Sequence, residues 1–376
     1  MNNKISNRYK YHKMKKIIII AGDKSGDIYG GLLAEKIKLK TDNIEIISFG
    51  GENLARTTNQ KINLTSIAVS GITEVFSQIK NIFKIFYKCL GVIKAEKPDL
   101  IILIDFPDFN LRLAKKLKKQ FPVFYYVSPQ IWAWRKSRIN IIKKYIDNMI
   151  VLFKFEKDFY ARNNMEVLYF GHPLLEIIPV IDCNEKNIIS LMPGSRKNEI
   201  EKHLPIMLQT YTLLKDKLPD YKFRIIRPEN INIGYYDKFQ TNLAIETHSY
   251  EKLKESKFII VCSGTATVEL AILNTPFLII YKASSLSWFI ARLLVNLDFA
   301  GMVNILAKKE IVPELLQNNA TPEKIAEKTL EYLQCSNKIK DMKTNLSKIR
   351  NICLPENATE KFSMFIIDFL ENSRKS

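Results

Sequence analysis

The apolar run Leu100–Ile104 ends in Asp105-Phe106-Pro107-Asp108-Phe109-Asn110, which puts two carboxylates just beyond a buried strand, where open α/β sheets gather their ligands. Either could serve as a general base toward a hydroxyl, because Phe106 and Phe109 would strip water from a carboxylate and raise its proton affinity. Asp108 is equally suited to cap a helix. The chain has no Asp-x-Asp pair, which argues against a metal-bridged nucleotide-sugar site.

Three further segments could meet phosphate. After Ile17–Ala21 comes Gly22-Asp23-Lys24-Ser25-Gly26-Asp27, a glycine turn that is neither GxGxxG nor GxxxxGK[ST]; it either lets a ligand approach the backbone or is a tight turn capped by Ser25 or Asp27. After Ile188–Met192 comes Pro193-Gly194-Ser195-Arg196, which offers a permanently charged fork to a diphosphate beside a helix amino terminus. After Phe258–Cys262 comes Ser263-Gly264-Thr265-Ala266-Thr267, with Glu269 in the first turn of the next helix. Amides there would take phosphate oxygens, and Glu269 would suit ribose hydroxyls, since a carboxylate on the phosphates would repel them. His172 and His203 read as structural or surface residues.

The segment Tyr125–Arg138 sets Trp132 and Trp134 among Arg135, Lys136 and Arg138. Rings beside cations suit lipid head groups and acyl chains, stacked bases, or simply a domain core. No RRM, KH or zinc signature accompanies them, which weighs against nucleic acid.

These motifs require elements that hold them. The apolar runs Ile17–Ala21, Ile44–Phe49, Leu100–Ile104, Val123–Val127, Met149–Phe153, Ile188–Met192, Phe223–Ile226, Phe258–Cys262 and Phe277–Tyr281 alternate with lysine-rich segments of helical period. Strands buried on both faces read this way, so an α/β fold with parallel sheets is expected. The pattern predicts a basic extension over 1–16, one nucleotide-binding-type domain over 17–172, a second over 173–333, and helices over 334–376. The chain has 376 residues with 47% hydrophobic content, enough for two cores, and its net charge of +18 favours phosphate-bearing or anionic-membrane partners. Five scattered cysteines, the short apolar run after a basic start, and no long uninterrupted apolar stretch point to a reducing cytoplasm and peripheral membrane contact through Trp132, Trp134 and Trp288.

The motifs Ala21–Asp27, Gly71-Ile72-Thr73-Glu74-Val75, Lys97-Pro98-Asp99 through Asn110, Val127–Arg135, Phe155-Glu156-Lys157, Gly171-His172-Pro173, Leu191–Arg196, Ser263–Glu269 and Val303-Asn304-Ile305-Leu306-Ala307 follow one another in an order that resembles the lipid-A-disaccharide synthases. The resemblance implies a B-type glycosyltransferase with two Rossmann-like domains and a cleft between them, the closing helices packing back on the first. It implies transfer from UDP-2,3-diacylglucosamine to 2,3-diacylglucosamine 1-phosphate, yielding a β(1→6) tetraacyl disaccharide 1-phosphate and UDP on the cytoplasmic face of the inner membrane. No cofactor or metal is called for, and a homodimer is left open.

On that basis Asp105, Asp108 and Arg196 are the candidate catalytic residues, with Asp105 preferred as base. Asp23, Ser25, Gly26, Ser128, Trp132, Gly194, Ser195, Ser263, Gly264, Thr265, Glu269 and Asn304 are candidates for substrate contact. Asp23 stands where relatives usually carry glutamate and Lys24 where they carry a small residue; Ser70 and Lys308 also depart from the usual pattern. The rivals are another UDP-sugar transferase or epimerase of the same architecture, a basic nucleic-acid binder, and a silent membrane scaffold.

Overall fold

The computed structural model describes residues 14–65, 75–282 and 299–372. Ser70, Gly71-Ile72-Thr73-Glu74, Trp288 and the extension as far as residue 13 lie outside them. Strands β1 (Lys15–Ala21), β2 (Ile44–Gly50), β3 (Asn59–Asn63), β4 (Leu100–Ile104), β5 (Val123–Tyr126), β6 (Asn148–Val151) and β7 (Leu168–Tyr169) form one parallel sheet in the order β3-β2-β1-β4-β5-β6-β7. Strands β8 (Lys186–Met192), β9 (Lys222–Arg227), β10 (Ala244–Thr247), β11 (Ser256–Cys262), β12 (Phe277–Tyr281) and β13 (Glu314–Leu316) form a second, ordered β10-β9-β8-β11-β12-β13.

The first sheet is joined and covered by α1 (Lys24–Lys38), α2 (Glu52–Ala55), α3 (Val75–Glu96), α4 (Pro107–Leu117), α5 (Ile139–Tyr145) and α6 (Lys154–Arg162). Then come α7 (Leu174–Ile177) in the connection between sheets, and α8 (Lys197–Leu214), α9 (Tyr250–Lys254), α10 (Ala266–Leu273) and α11 (Met302–Ala307) around the second sheet. The chain closes with α12 (Pro322–Leu333), α13 (Ser336–Ile352) and α14 (Ala358–Asn372).

Each run of apolar residues becomes a strand because helices cover both faces. Ile17 and Ile19 enter one core cluster and Ile18 and Ile20 the other, all without exposed surface. Strand order reverses between β1 and β4 in the first sheet and between β8 and β11 in the second, and at such switch points the loops beyond the strands diverge to leave a crevice. Ala21 pairs with Ile104, so the Gly22 and Asp105 loops emerge level with each other. Met192 pairs with Val261, which does the same for the Pro193 and Ser263 loops.

Thr321 caps α12 by accepting from the Lys324 amide, with Pro322 in the first turn. The closing segment then divides. Helix α13 stays with the second sheet, packing on α10 and α11, whereas α14 crosses to α1 of the first. Phe362 and Phe365 of α14 meet Tyr126, Phe124 and Phe170, and Phe369 also meets Phe124. A ring such as Phe362, 1% exposed, contributes about 2–3 kcal/mol by burial, which anchors α14 on the first sheet.

Candidate active site

At the switch point of the first sheet, Asp105 and Phe106 take left-handed backbone at φ 43° and 48°. Two such residues in succession are strained and need outside support. The buried Asn110 side chain supplies it, donating to the Ile104 carbonyl at 3.1 Å and the Asp105 carbonyl at 2.8 Å, while the Tyr125 hydroxyl donates to the Asp105 carbonyl at 2.6 Å. The Phe106 ring swings over β1's turn, where a Cβ on Gly22 would come within 2.1 Å of it. Glycine is therefore required at position 22 by close approach.

Asp23 is the N-cap of α1, accepting from the Gly26 amide at 2.8 Å. The cap expected from Ser25 or Asp27 is thus corrected: Asp27 reaches instead to the Gly51 and Asn53 amides at 2.6 and 2.9 Å and holds the β2–α2 turn. The carboxyls of Asp23 and Asp105 face each other. Enclosure by protein, more than the neighbouring Asp23 charge, pushes Asp105 up to about 7, and a partial opening to the cleft leaves it reachable from solvent. Enclosure also raises Asp23, and Arg196 of the second domain draws both carboxyls back down.

At the second switch point Gly194 has φ +133° and carries the chain sharply into α8. Arg196 is the N-cap residue of α8, with its guanidinium more than half exposed and 3.1 Å from Glu199. Glu199 also accepts from the Ser195 and Arg196 amides at 2.8 and 3.2 Å. His203 fastens this turn from behind: its Nε2 accepts from the Lys282 amide at 2.9 Å, so Nδ1 carries the proton donated to the Pro193 carbonyl at 3.2 Å.

The β11 turn exposes Gly264 and Thr265, and nothing stands within 4 Å of a Cβ placed on Gly264. The backbone there is open to a ligand. Ser263 donates to the Ala300 carbonyl, Thr267 turns inward to the Gly264 carbonyl at 2.8 Å, and Glu269 lies 3.5 Å from His248 Nε2. The two switch points meet where Ser25 Oγ approaches Thr265 Oγ1 at 3.4 Å.

The structure brings together Asp23, Ser25, Gly26, Asp105, Gly194, Ser195, Arg196, Gly264, Thr265 and Glu269 around this crevice, and it places four other candidates elsewhere. Asp108 is 62% exposed and bound by Arg135 and Arg138, too open and too well paired for a base. Ser128 is buried with its hydroxyl 2.8 Å from Tyr160 Oη, and so holds its own loop. Trp132 packs edge-on against Phe155 at 5.1 Å rather than facing a membrane. Its indole N–H lies buried toward Glu156 without completing a hydrogen bond. Asn304 is wholly buried, accepting from the Ile311 and Val312 amides at 2.8 and 3.1 Å and donating to the Val312 carbonyl and Glu314. Ser128, Trp132 and Asn304, expected as substrate contacts, are held by partners within the fold, and Asp108, expected as a catalytic alternative, is turned away from Asp105.

Sequence reading passed over Asn110, Tyr125, Glu156 and Glu199 as individual residues. Glu156 is fully buried, accepts from the Leu152 and Phe153 amides at 3.2 and 3.0 Å, and is pushed up to about 7 by that burial. Glu156 and Glu199 each reach back from the third helical position to the amide of the residue before their helix, but Phe153 and Arg196 at those starts carry no side-chain acceptor, so the sequence showed no capping-box signature; the tertiary partners of Asn110 and Tyr125 left no trace either.

Among the described residues no group of three or more His, Cys, Asp or Glu is placed to hold a metal ion, and no helix is long and apolar enough to cross a membrane. The arrangement can bind a diphosphate between domains and deprotonate a hydroxyl beside it.

Known proteins share this design. In fold the chain resembles the UDP complex of MnaA from S. aureus (TM-score 0.64, 16% identity, 95% and 97% of the two chains). It also resembles the thymidine diphosphate complex of the spinosyn rhamnosyltransferase SpnG (TM-score 0.62, 11% identity, 93% and 100%). The lipid-A-disaccharide synthase of Syntrophus aciditrophicus is 34% identical over 96% of this chain and 99% of its own. One from Legionella pneumophila subsp. pneumophila is 36% identical over 89% and 92%. The model of the lipid-A-disaccharide synthetase family matches residues 17–364, so this chain, a glycosyltransferase of B-type architecture, belongs to that family.

Proposed function

We propose that the chain transfers 2,3-diacylglucosamine from its UDP conjugate to the 6-hydroxyl of 2,3-diacylglucosamine 1-phosphate by a single inverting displacement. The observation that carries the reading is that Asp105, a partly desolvated carboxyl after the first sheet's switch point, feels the charge of Arg196 from the second sheet, so that a base and a cation from the two halves share the crevice. Asp105 takes the proton of the 6-hydroxyl as that oxygen bonds to the donor's anomeric carbon, and the carbon–oxygen bond to UDP breaks with its electron pair going to the diphosphate. Arg196 and the open amides of the Gly264-Thr265 turn stabilise the departing charge in place of a metal, and Glu269 holds ribose. Asp23 holds the base's proton affinity high enough to accept.

Lipid substrates fit the outer surface. Helix α3 exposes Ile82, Phe83 and Tyr87 beside Lys80, Lys84 and Lys88, an apolar and cationic face suited to an anionic bilayer from the cytoplasmic side. The Trp134 ring centroid lies 4.3 and 5.6 Å from the guanidinium carbons of Arg135 and Arg138.

The test is UDP release from the acylated UDP sugar, with and without acceptor, EDTA present, for wild type, Asp105→Asn and Arg196→Ala. Acceptor-dependent UDP with a new disaccharide, reduced at least about a hundredfold in Asp105→Asn, supports the reading. Conversion of the UDP sugar without acceptor would replace it with epimerisation, the activity named for a neighbour of similar fold from Neisseria meningitidis.

A further inference from the structure

Arg135 and Arg138 aim their guanidinium groups at one point, the same carboxylate oxygen of Asp108, with Arg135 Nη1 2.8 Å from it. The three partners are not equally fixed. The Arg138 side chain is 11% exposed, and both arginines lie against the Trp134 ring, whereas Asp108 is 62% exposed. Arg138 is the enclosed member of this cluster and Asp108 the one most open to solvent. Two guanidinium forks converging on one anionic oxygen make a geometry that phosphate satisfies better than carboxylate, because phosphate brings a second charge and further oxygens to the same donors. Arg112 acts on Arg138 as well, so the cluster keeps an excess of positive charge even with Asp108 in place.

The cluster also adjoins the base. Tyr125, whose hydroxyl donates to the Asp105 carbonyl at 2.6 Å, feels the charges of both Asp105 and Arg138. The buried Tyr125 side chain thus lies within electrostatic reach of both the proton acceptor and the arginine cluster.

We propose that Arg135 and Arg138, stacked on Trp134, form the subsite for a phosphate monoester on the acceptor sugar, with Asp108 as the resident anion that the phosphate displaces. This rests on the transferase reading and deepens it by assigning where the acceptor's phosphate goes. Displacement keeps both arginines paired, because the phosphate oxygens take over the contacts that Asp108 gives up. The ester dianion then sets which hydroxyl of the sugar faces Asp105.

The test compares kcat/KM for the acylated glucosamine 1-phosphate with that for the same acylated sugar lacking phosphate. Wild type favours the phosphate form. In Arg135→Ala and in Arg138→Lys, which keeps the charge but loses the fork, that preference falls tenfold or more; in Asp108→Asn, freed of the competing carboxylate, it rises. The Arg135 side chain is 44% exposed against 11% for Arg138, so its variant reads the subsite even where the Arg138 variant folds poorly. An unchanged preference in folded Arg135→Ala and Arg138→Lys overturns the subsite while leaving the transferase reading intact. Absence of acceptor-dependent turnover in wild type overturns both. Binding to phosphatidylglycerol vesicles separates the other source of phosphate: variants that lose vesicle binding but keep the preference would assign the cluster to lipid head groups and overturn the proposal.

Discussion

Ser25 Oγ and Thr265 Oγ1 lie 3.4 Å apart although 240 positions separate them in the chain. One stands in the first turn of α1, the other at the start of α10, so the contact joins the switch points of two independent sheets and spans the crevice proposed for the donor. Replacing both by cysteine should give a disulfide on mild oxidation, since the atoms need only a small approach. The oxidised Ser25→Cys/Thr265→Cys protein should lose UDP release and regain it on reduction. Full activity in the demonstrably crosslinked protein would remove this crevice as the donor's route.

Proton affinity at Asp105 should be adjustable from both domains. A base must be unprotonated, so kcat/KM should fall on the acid side with an inflection near the value of about 7 to which burial and Asp23 raise Asp105. Asp23→Asn removes a neighbouring negative charge and should move the inflection down. Arg196→Met removes a positive one and should move it up. pH–rate profiles of the two variants check both signs.

The same group should leave a stability signature. Asp105 keeps its proton in the folded chain at pH values where an unfolded carboxyl, with a pKa of about 4, has released it. Stability from this group is therefore fully present below about pH 4 and lost as pH rises through about 7. Asp105→Asn should raise the urea midpoint relative to wild type at pH 8 and leave little difference at pH 4, with activity lost at both.

Gly22 and Phe106 should be coupled. Gly22→Ala places a methyl 2.1 Å from the Phe106 ring and should cost about 1–3 kcal/mol. In Phe106→Ala the same glycine change should cost less, a coupling of about 0.5 kcal/mol or more in a double-mutant cycle of urea midpoints. Additive losses would mean that the two loops do not register on each other.

Asn304→Ala should separate support from substrate contact. It strands the Ile311 and Val312 amides together with the Val312 carbonyl, so a loss of about 3 kcal/mol or more is expected, with donor KM unchanged in the protein that folds. A raised donor KM at unchanged stability would return Asn304 to the binding site.

The central strands were legible because each is covered on both faces and reads as an unbroken apolar run: all nine such runs correspond to strands. The four strands that left no such run, β3, β7, β10 and β13, are the edges of the two sheets. β3 reads Asn-Gln-Lys-Ile-Asn with one buried residue, because an edge faces solvent and pairs through backbone on one side only. The loops at the switch points were legible for the same reason as the strands they follow.

What the sequence by itself determined was the repeated design of apolar strand, small-residue turn and helix, together with the set of groups available to it: two carboxylates after β4, an arginine after β8, and an open glycine turn after β11. Residue type and spacing alone did not choose among them; the preference for Asp105 came from the resemblance. Asp105 and Asp108 are alike in type and three positions apart, and only the packing of Phe106 over Gly22 and the approach of Asp23 enclose one, while the start of α4 turns the other outward to Arg135 and Arg138. Ser128, Trp132 and Asn304 likewise carry chemistry in their types and lose it to partners up to 32 positions away. Desolvation and charge proximity depend on what surrounds a side chain in three dimensions, and local sequence carries neither.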